Sequence, residues 1–309
     1  MALSRFANTF SGNPLDRAGD RRADPRWIAE QREHPDAVAL VLWRGEVLVE
    51  PGPEGERLAW LRLDMAEDAA GREGLFQGLW RDAPVFAVEF TGAADPTAGP
   101  LQGLGRFQEM RGAGALLPAA EAAMAATAKS LLDWHEHHGL CSACGQATEV
   151  ADGGWKRVCP ACAVQHFPRV NPVTIMLPVF GDRCLVGRQA AWPAGRMSAL
   201  AGFLEPGESI EEGCARELME EAGLTAVRVA YHSSQPWPFP SSLMIGLIAE
   251  VEDDDATPDQ TELEAVRWLT RDELRRVLAS DEGWDGVKPP PPLAIARTLM
   301  QAWADGFEG

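Results

Sequence analysis

Two groups of side chains in this chain have the types and spacing to hold cations. The first is acidic: Glu208, Glu211, Glu212, Glu217, Glu220 and Glu221 crowd one short segment. Ser209 followed by Glu212 is a capping-box pattern, and Gly223 falls where a helix stops in a left-handed residue, so a helix is expected from Ser209 to Ala222. At about 100° per residue, Glu217 and Glu221 project within about 20° of Ile210 on either side, with Cys214 at about 40°. Glu211 and Glu212 suit a solvated face. Glu217 and Glu221 fall on the apolar face, where a carboxylate without a partner is costly and Arg216 alone cannot neutralise both. A hard divalent cation is the natural partner for such a pair.

The second group is Cys141-x2-Cys144 and Cys159-x2-Cys162, with 14 residues between the pairs. This is four-thiolate spacing for tetrahedral Zn²⁺. A redox motif would place one Cys-x-x-Cys at a helix start, whereas these pairs bracket a short Trp155-Lys156-Arg157-Val158 strand. Four thiolates fill the coordination sphere, so the expected site is structural. Cys184 and Cys214 suit core positions. His135 and His138 share a helix face at i, i+3 but lack the i, i+4 spacing of helical zinc motifs, and they are expected at a solvated helix end.

These groups need elements to position them. The residues to about Gly114 mix extended runs, Ala37 to Leu42 and Glu46 to Val49, with turn-rich pieces, and carry no chemical motif. A helix is expected from Pro118 to His138, with Gly139 as its C-cap. After the cysteines, Val173 to Phe180 and Cys184 to Gly187 suit a β-hairpin. Beyond the acidic helix come a strand from Val227 to Tyr231, a Pro-rich loop from Ser234 to Ser242, a strand from Leu243 to Val251 and a last helix from Leu293 to about Ala304. Strands alternating with helices argue for an α/β layered domain. No internal repeat is evident. The expected division is a mixed domain over 1–117, a connecting helix over 118–139, a ribbon over 140–168 and a catalytic domain over 169–309.

With 309 residues, 46% hydrophobic and 24% charged, there is ample chain for a core. No apolar run approaches the roughly 20 residues of a membrane-spanning helix. Met1-Ala2-Leu3-Ser4-Arg5-Phe6 lacks the features of an export signal, so a cytoplasmic protein is expected. The formal charge of -18 repels polyanions and offers no evident nucleic-acid track.

Gly202, Glu208, Arg216, Glu217, Leu218, Glu220, Glu221, Gly223 and Leu224 fill every specified place of G-x5-E-x7-R-E-U-x-E-E-x-G-U. The segment resembles the signature of the Nudix hydrolases. That resemblance implies an α/β/α sandwich whose Glu217, Glu220 and Glu221 are catalytic and bind Mg²⁺ or Mn²⁺, joined by the carbonyl of Ala201. Such metals clamp phosphate oxygens and lower the pKa of an attacking water. Arg216 is expected to orient a glutamate through its planar fork.

The loop Ser234-Gln235-Pro236-Trp237-Pro238-Phe239-Pro240-Ser241-Ser242 presents an indole and a phenyl ring on a stiff backbone. From physics alone it suits flat heterocycles or a hydrophobic loop packed on the core equally well. Placed after the box, it is similar to S-Q-P-W-P-F-P-x-S of the NADH pyrophosphatase subgroup, good from about Leu140 to Ala304 and vague before. That likeness implies a four-cysteine ribbon and an N-terminal mixed α+β domain ahead of the sandwich, in a homodimer with composite sites. It implies that Phe203 stacks on a base, Glu262 adds a metal ligand and Ala296 meets substrate through its backbone. The loop residues Gln235 to Ser242 would contact substrate, with Trp237 reaching across the dimer, as would Arg111. Phe167 stands at a substrate position where a tyrosine often occurs, and Gly154 where some relatives carry a glutamate.

The expected function is hydrolysis of NADH or NAD⁺ to nicotinamide mononucleotide and AMP, with removal of NAD caps from RNA as the same cut in a larger molecule. The alternatives are a nucleotide-sensing zinc-ribbon module and a Nudix hydrolase of another nucleoside diphosphate derivative.

Overall fold

The computed structural model describes residues 8–307. The expectation about Met1 to Phe6 lies outside them. The chain divides into two compact units. One comprises Phe10–Val170 with the short segment Trp237–Ser241; the other comprises Asn171–Pro236 and the chain from Ser242 onward, with Asn8 and Thr9.

In the first unit the N-terminal sheet has strands β1 (Val38–Trp43), β2 (Glu46–Gly52), β3 (Gly55–Leu58), β4 (Leu61–Arg62), β5 (Leu75–Trp80), β6 (Ala83–Phe90) and β7 (Arg106–Gln108), ordered β3-β2-β1-β6-β5 with β4 beside β1 and β7 beside β2. Arg44 and Gly45 join β1 to β2 at φ 54 and 77, the two positive angles that a hairpin of matching twist requires. Helices α1 (Pro25–Arg32), α2 (Leu63–Ala70) and α3 (Met110–Leu116) accompany the sheet, and Val41, Leu48, Phe76, Phe86 and Val88 fill its core.

Helix α4 (Ala119–His137) follows from its alanine-rich sequence and takes Pro118 as N-cap. It closes at His138 with φ -122, so the stop expected of Gly139 is not a left-handed one. The ribbon is a three-stranded antiparallel sheet of β8 (Glu149–Ala151), β9 (Lys156–Val158) and β10 (Gln165–His166). The turn before β9 is seated tightly: a Cβ on Gly153 would lie 2.9 Å from Ile28 Cδ1, and one on Gly154, at φ +110, 3.0 Å from Leu75 Cβ. A glutamate at position 154 would be strained in this fold.

The second unit is a sandwich. Strands β11 (Asn171–Phe180), β12 (Arg183–Arg188), β13 (Leu200–Phe203), β14 (Ala226–Trp237), β15 (Ser242–Val251) and β16 (Ala265–Thr270) are ordered β14-β15-β11-β12-β16 with β13 beside β11. Alternation along β11 sends Ile175 and Leu177 to one face and Met176 to the other. The first face packs Leu274, Val277, Leu299 and Trp303 of α6 (Arg271–Leu278) and α7 (Ile295–Ala304); the second packs Cys214 and Leu218 of α5 (Ile210–Ala222). β14 runs on through the expected loop to Trp237, leaving a short turn before β15.

The two sheets share a plan that the sequence does not announce. β1 is antiparallel to β2 and β4 and parallel to β6; β11 is antiparallel to β12 and β13 and parallel to β15. A helix follows each short strand, α2 after β4 and α5 after β13. The chain therefore contains a repeat of topology, correcting the expectation of none. No helix among the described residues is long and apolar enough to cross a membrane.

Candidate active site and metal centres

Helix α5 is bounded as its sequence requires. Ser209 Oγ accepts from the Glu212 N–H (3.2 Å), the Glu212 carboxylate accepts from the Ser209 N–H (2.7 Å), and Gly223 closes the helix at φ 69. Its inner face is set by Cys214, Leu218 and Ala222 rather than by Ile210, which is 36% exposed. Glu217 and Glu221 lie on that inner face at 8% and 3% exposure, while Glu220 points outward.

Arg216 organises the acidic side chains. Nε donates to Glu208 Oε1 (2.6 Å), Nη1 to Glu217 Oε1 (2.8 Å) and Glu220 Oε2 (2.9 Å), and Nη2 to Glu208 Oε2 (3.1 Å) and the Phe203 carbonyl (2.8 Å). Every N–H of the guanidinium is thereby engaged, a geometry that a lysine could not reproduce. The Arg216 bonds hold the Glu208 carboxyl below its ordinary range. Burial raises Glu217 despite its bond to Arg216.

Glu221 has no such partner. Burial first, then the charges of Glu217, Glu262 and Asp259, push its carboxyl up to about 8, against the one N–H that Ala201 donates to it. Its Oε2 is buried with no hydrogen-bond partner. Gly202, beside Ala201 on β13, leaves the space that the Glu217 carboxylate fills. The set offers carboxylate and carbonyl oxygens to a hard cation, and the orphaned oxygen lacks only such a partner.

Glu262 sits on a turn tied to the same helix. The Asp259 carboxylate accepts from the N–H groups of Glu262 (3.0 Å) and Leu263 (2.9 Å), while the Asp259 N–H donates to the Glu221 carbonyl (3.1 Å). Sequence reasoning matched Glu208 to the box without giving it a role, and it passed over Asp259. An Asp three residues before Glu262 was the available signal, since that spacing makes an Asx-type turn.

The four cysteine sulfurs lie within 4.8 Å of one another, the one cluster of such ligands among the described residues. Cys141 and Cys162 sulfurs are 3.6 Å apart, Cys144 and Cys159 sulfurs 3.5 Å. A tetrahedral ion with bonds of about 2.3 Å separates its sulfurs by about 3.8 Å, so the cage has the size of one ion. The histidines lie outside this cluster. His135, expected in solvent, is buried: Nε2 bonds the Gly154 carbonyl (2.6 Å) and Nδ1 accepts from Arg157 (2.8 Å), which fixes a neutral imidazole. His138 Nδ1 faces the Trp134 carbonyl at 2.8 Å.

The remaining predicted residues divide between the units. In the second unit Phe203 is 60% exposed on β13, and Ala296 is buried in the first turn of α7. Gln235 requires a correction. Its Nε2 donates to the carbonyls of Thr9 (3.0 Å) and Leu293 (2.8 Å) and its Oε1 accepts from the Ile295 N–H (2.9 Å), so the buried amide fixes the start of α7 and is not free for a substrate. Pro236 is exposed and Ser242 partly buried at the start of β15. In the first unit Trp237 and Phe239 pack edge-on at 5.0 Å, and each meets Phe10. Arg111 lies 4.0 Å over the Phe239 ring. Pro238 is buried, Pro240 follows a cis peptide bond, Ser241 is partly buried and Phe167 is 63% exposed.

Three family models match the chain in succession: an NADH pyrophosphatase-like rudimentary NUDIX domain over residues 36–134, an NADH pyrophosphatase zinc ribbon domain over 136–167 and a NUDIX domain over 170–287. The chain belongs to the Nudix hydrolase family. Within it, the succession of rudimentary domain, ribbon and Nudix domain is that of the NADH pyrophosphatase type. The first match also names the shared topology of the two sheets. The chain is 42% identical over 193 residues to the NAD-capped RNA hydrolase NUDT12 of Macaca fascicularis, covering 59% of this chain and 42% of that one. It is 39% identical over 203 residues to the NAD-capped RNA hydrolase NudC of Mycobacterium bovis (63% and 64%). To the mitochondrial NAD(P)H pyrophosphatase NUDT13 of Homo sapiens it is 42% identical over 216 residues (65% and 60%). The matches thus span about two fifths to two thirds of these curated relatives.

Proposed function

We propose that this chain hydrolyses the central pyrophosphate of NADH and NAD⁺, releasing nicotinamide mononucleotide and AMP. The observation that carries the reading is Glu221, a buried carboxylate with an orphaned oxygen on the box helix, among Glu217, Glu262 and Asp259. Water oxygen forms a bond to one phosphorus, the bond from that phosphorus to the bridging oxygen breaks, and the water proton passes to a carboxylate of this group, with Glu221 as our choice. Glu217, Glu220, Glu221 and Glu262, with the Ala201 carbonyl, would hold Mg²⁺ or Mn²⁺, which supplies charge neutralisation at the phosphates and an acidified water. Arg216 keeps Glu217 and Glu220 in place. The exposed Phe203 ring offers a stacking face to a base, and Ala296 a backbone contact.

The dinucleotide substrate is supported by the family models and by the printed activities of the relatives. Two relatives are named for NAD-capped RNA, which favours decapping as a second reading on the same bond. The charge of -18 counts against a long RNA track. Cys141, Cys144, Cys159 and Cys162 hold a structural Zn²⁺ in this reading. The working form is a cytoplasmic homodimer in which Trp237, Phe239 and Arg111 face substrate. Residues 1–117, 118–139, 140–168 and 169–309 serve as rudimentary domain, connector, ribbon and catalytic domain.

Chromatography of the products formed from NADH, coenzyme A, ADP-ribose and NAD-capped RNA tests the assignment. Equimolar AMP and reduced nicotinamide mononucleotide from NADH are expected. Turnover confined to coenzyme A or ADP-ribose would overturn the dinucleotide reading, and no turnover of any of them would favour a sensing module.

A further inference from the structure

A cavity of about 890 Å³ opens in the first unit, among α1, the β1–β2 turn, the segment after α2, the end of β6, α4 and the ribbon turn. Five guanidiniums line it, those of Arg22, Arg32, Arg44, Arg72 and Arg157. Such a concentration runs against the composition of a chain with 46 acidic and 28 basic residues.

The cavity's own carboxylates do not neutralise it. Glu73 faces Arg32 (3.6 Å), Glu89 faces Arg72 (3.2 Å) and Asp152 faces Lys156 (3.0 Å), which leaves Glu136 as the remaining lining acid. Among the described residues Arg22, Arg44 and Arg157 make no ion pair. Arg22 lies 4.4 Å over the Trp155 ring and Arg44 5.6 Å over the Trp43 ring. Arg157 donates to Thr148 Oγ1 (2.6 Å), the Thr148 carbonyl (2.7 Å) and His135 Nδ1 (2.8 Å), so each terminal nitrogen keeps one N–H for a further acceptor.

Arg22 and Arg157 are held in place, while Arg44 is exposed. The Trp155 indole beneath Arg22 donates to the Phe76 carbonyl at 2.8 Å, and the neutral His135 braces Arg157 from behind. Burial lowers the proton affinity of both Arg22 and Arg157; the neighbouring Arg17 lowers that of Arg22 further and the charge of Asp152 offsets part of it, while burial alone acts on Arg157. Ile28, Leu75, Phe90 and Val150 add apolar wall to the same cavity. Fixed guanidiniums beside apolar surface, in a volume within the roughly 300–1,000 Å³ of small-molecule sites, suit phosphate groups attached to a flat, partly apolar body.

We propose that this cavity binds the phosphate groups of a nucleotide, as a second site separate from the carboxylates of α5. It holds the ligand without cutting it. Helix α2, the counterpart of the box helix, carries no arginine and a single glutamate, Glu67, which is engaged by Arg32 and by the Gly74 N–H (2.7 Å). The inference does not depend on the catalytic reading, because binding is measured without turnover.

Calorimetric titration of the zinc-containing protein, with no Mg²⁺ or Mn²⁺ added, tests it with ADP and with inorganic pyrophosphate. ADP should saturate one site with a Kd below about 1 mM, at least about tenfold tighter than pyrophosphate. R22Q/R44Q should weaken ADP at least about tenfold, and Arg44→Gln alone, which changes an exposed side chain, about threefold; Glu221→Gln should leave binding unchanged. No saturation by ADP up to about 10 mM, or equal affinity in R22Q/R44Q and Arg44→Gln, would overturn the site. Pyrophosphate binding as tightly as ADP would overturn its assignment to a nucleotide.

Discussion

A Cβ placed on Gly202 would stand 1.8 Å from the carboxyl carbon of Glu217 and 2.0 Å from each of its oxygens. The first glycine of the box and the first glutamate of its acidic cluster are thus two halves of one packing arrangement. The missing side chain on β13 is the space in which a buried carboxylate is held.

Gly202→Ala should therefore act as a lesion in Glu217. The residue has ordinary negative φ, so alanine fits the backbone while its methyl displaces the carboxylate. NADH turnover should fall at least about tenfold, with overpacking lowering stability by about 1–3 kcal/mol. Steady-state kinetics beside a thermal melt checks both, and full activity would mean that Glu217 is not needed where it lies.

One Zn²⁺ per chain should survive dialysis against a weak chelator, while added Mg²⁺ or Mn²⁺ is lost. Cys159, buried within the thiolate cage, is the informative position. Cys159→Ser should lower stability more than it changes the chemistry of the folded remainder. Elemental analysis that finds no zinc in active protein would remove the structural role.

Acid should weaken the first unit through His135. The unfolded imidazole takes a proton near pH 6.5, whereas burial, with Arg157, Arg72 and His138 nearby, holds the folded one to about 4. The unfolded state thus binds more protons between these values, so stability is complete above pH 6.5 and falls as pH drops toward 4. From pH 7.5 to 5 the loss should be about 2 kcal/mol. His135→Gln can keep both hydrogen bonds and should lose less stability over that interval. Urea unfolding of both proteins decides it, and an identical acid loss would assign the effect elsewhere.

Trp237 offers a large face and no charge, so it can bind a base but cannot assist at the phosphates. Trp237→Ala should impair NADH cleavage more than cleavage of a small pyrophosphate substrate. If the loop completes a neighbouring subunit's site, mixing this variant with Glu221→Gln should restore some activity, since one site in each hybrid then carries neither lesion. No recovery despite proven subunit exchange would mean that Trp237 serves its own subunit.

What was legible in the sequence was encoded locally. The capping box at Ser209 and Glu212, the stop at Gly223 and the cysteine spacing each lie within a few turns of chain, and the structure places them accordingly. What was missed depends on distant partners. His135 is buried because Gly154 and Arg157 come back to it across the ribbon, and Gln235 is occupied because Thr9, Leu293 and Ile295 converge on it. The topological repeat escaped notice because α2 carries none of the box residues that mark α5, leaving strand pairing as the only common feature.

The most direct measurement is NADH hydrolysis by the wild type and by Glu221→Gln at equal concentration, with Mn²⁺ or Mg²⁺ supplied and products resolved by chromatography. The substitution keeps the size of a side chain that is 3% exposed and removes the charge that the metal requires. The wild type should form AMP and reduced nicotinamide mononucleotide in equal amounts, and the folded variant should retain less than about a tenth of that rate, a loss above about 1.4 kcal/mol in the barrier. A variant that keeps more than a tenth of the activity, or a wild type that leaves NADH intact, would contradict the assignment of this helix as the catalytic centre for dinucleotide cleavage.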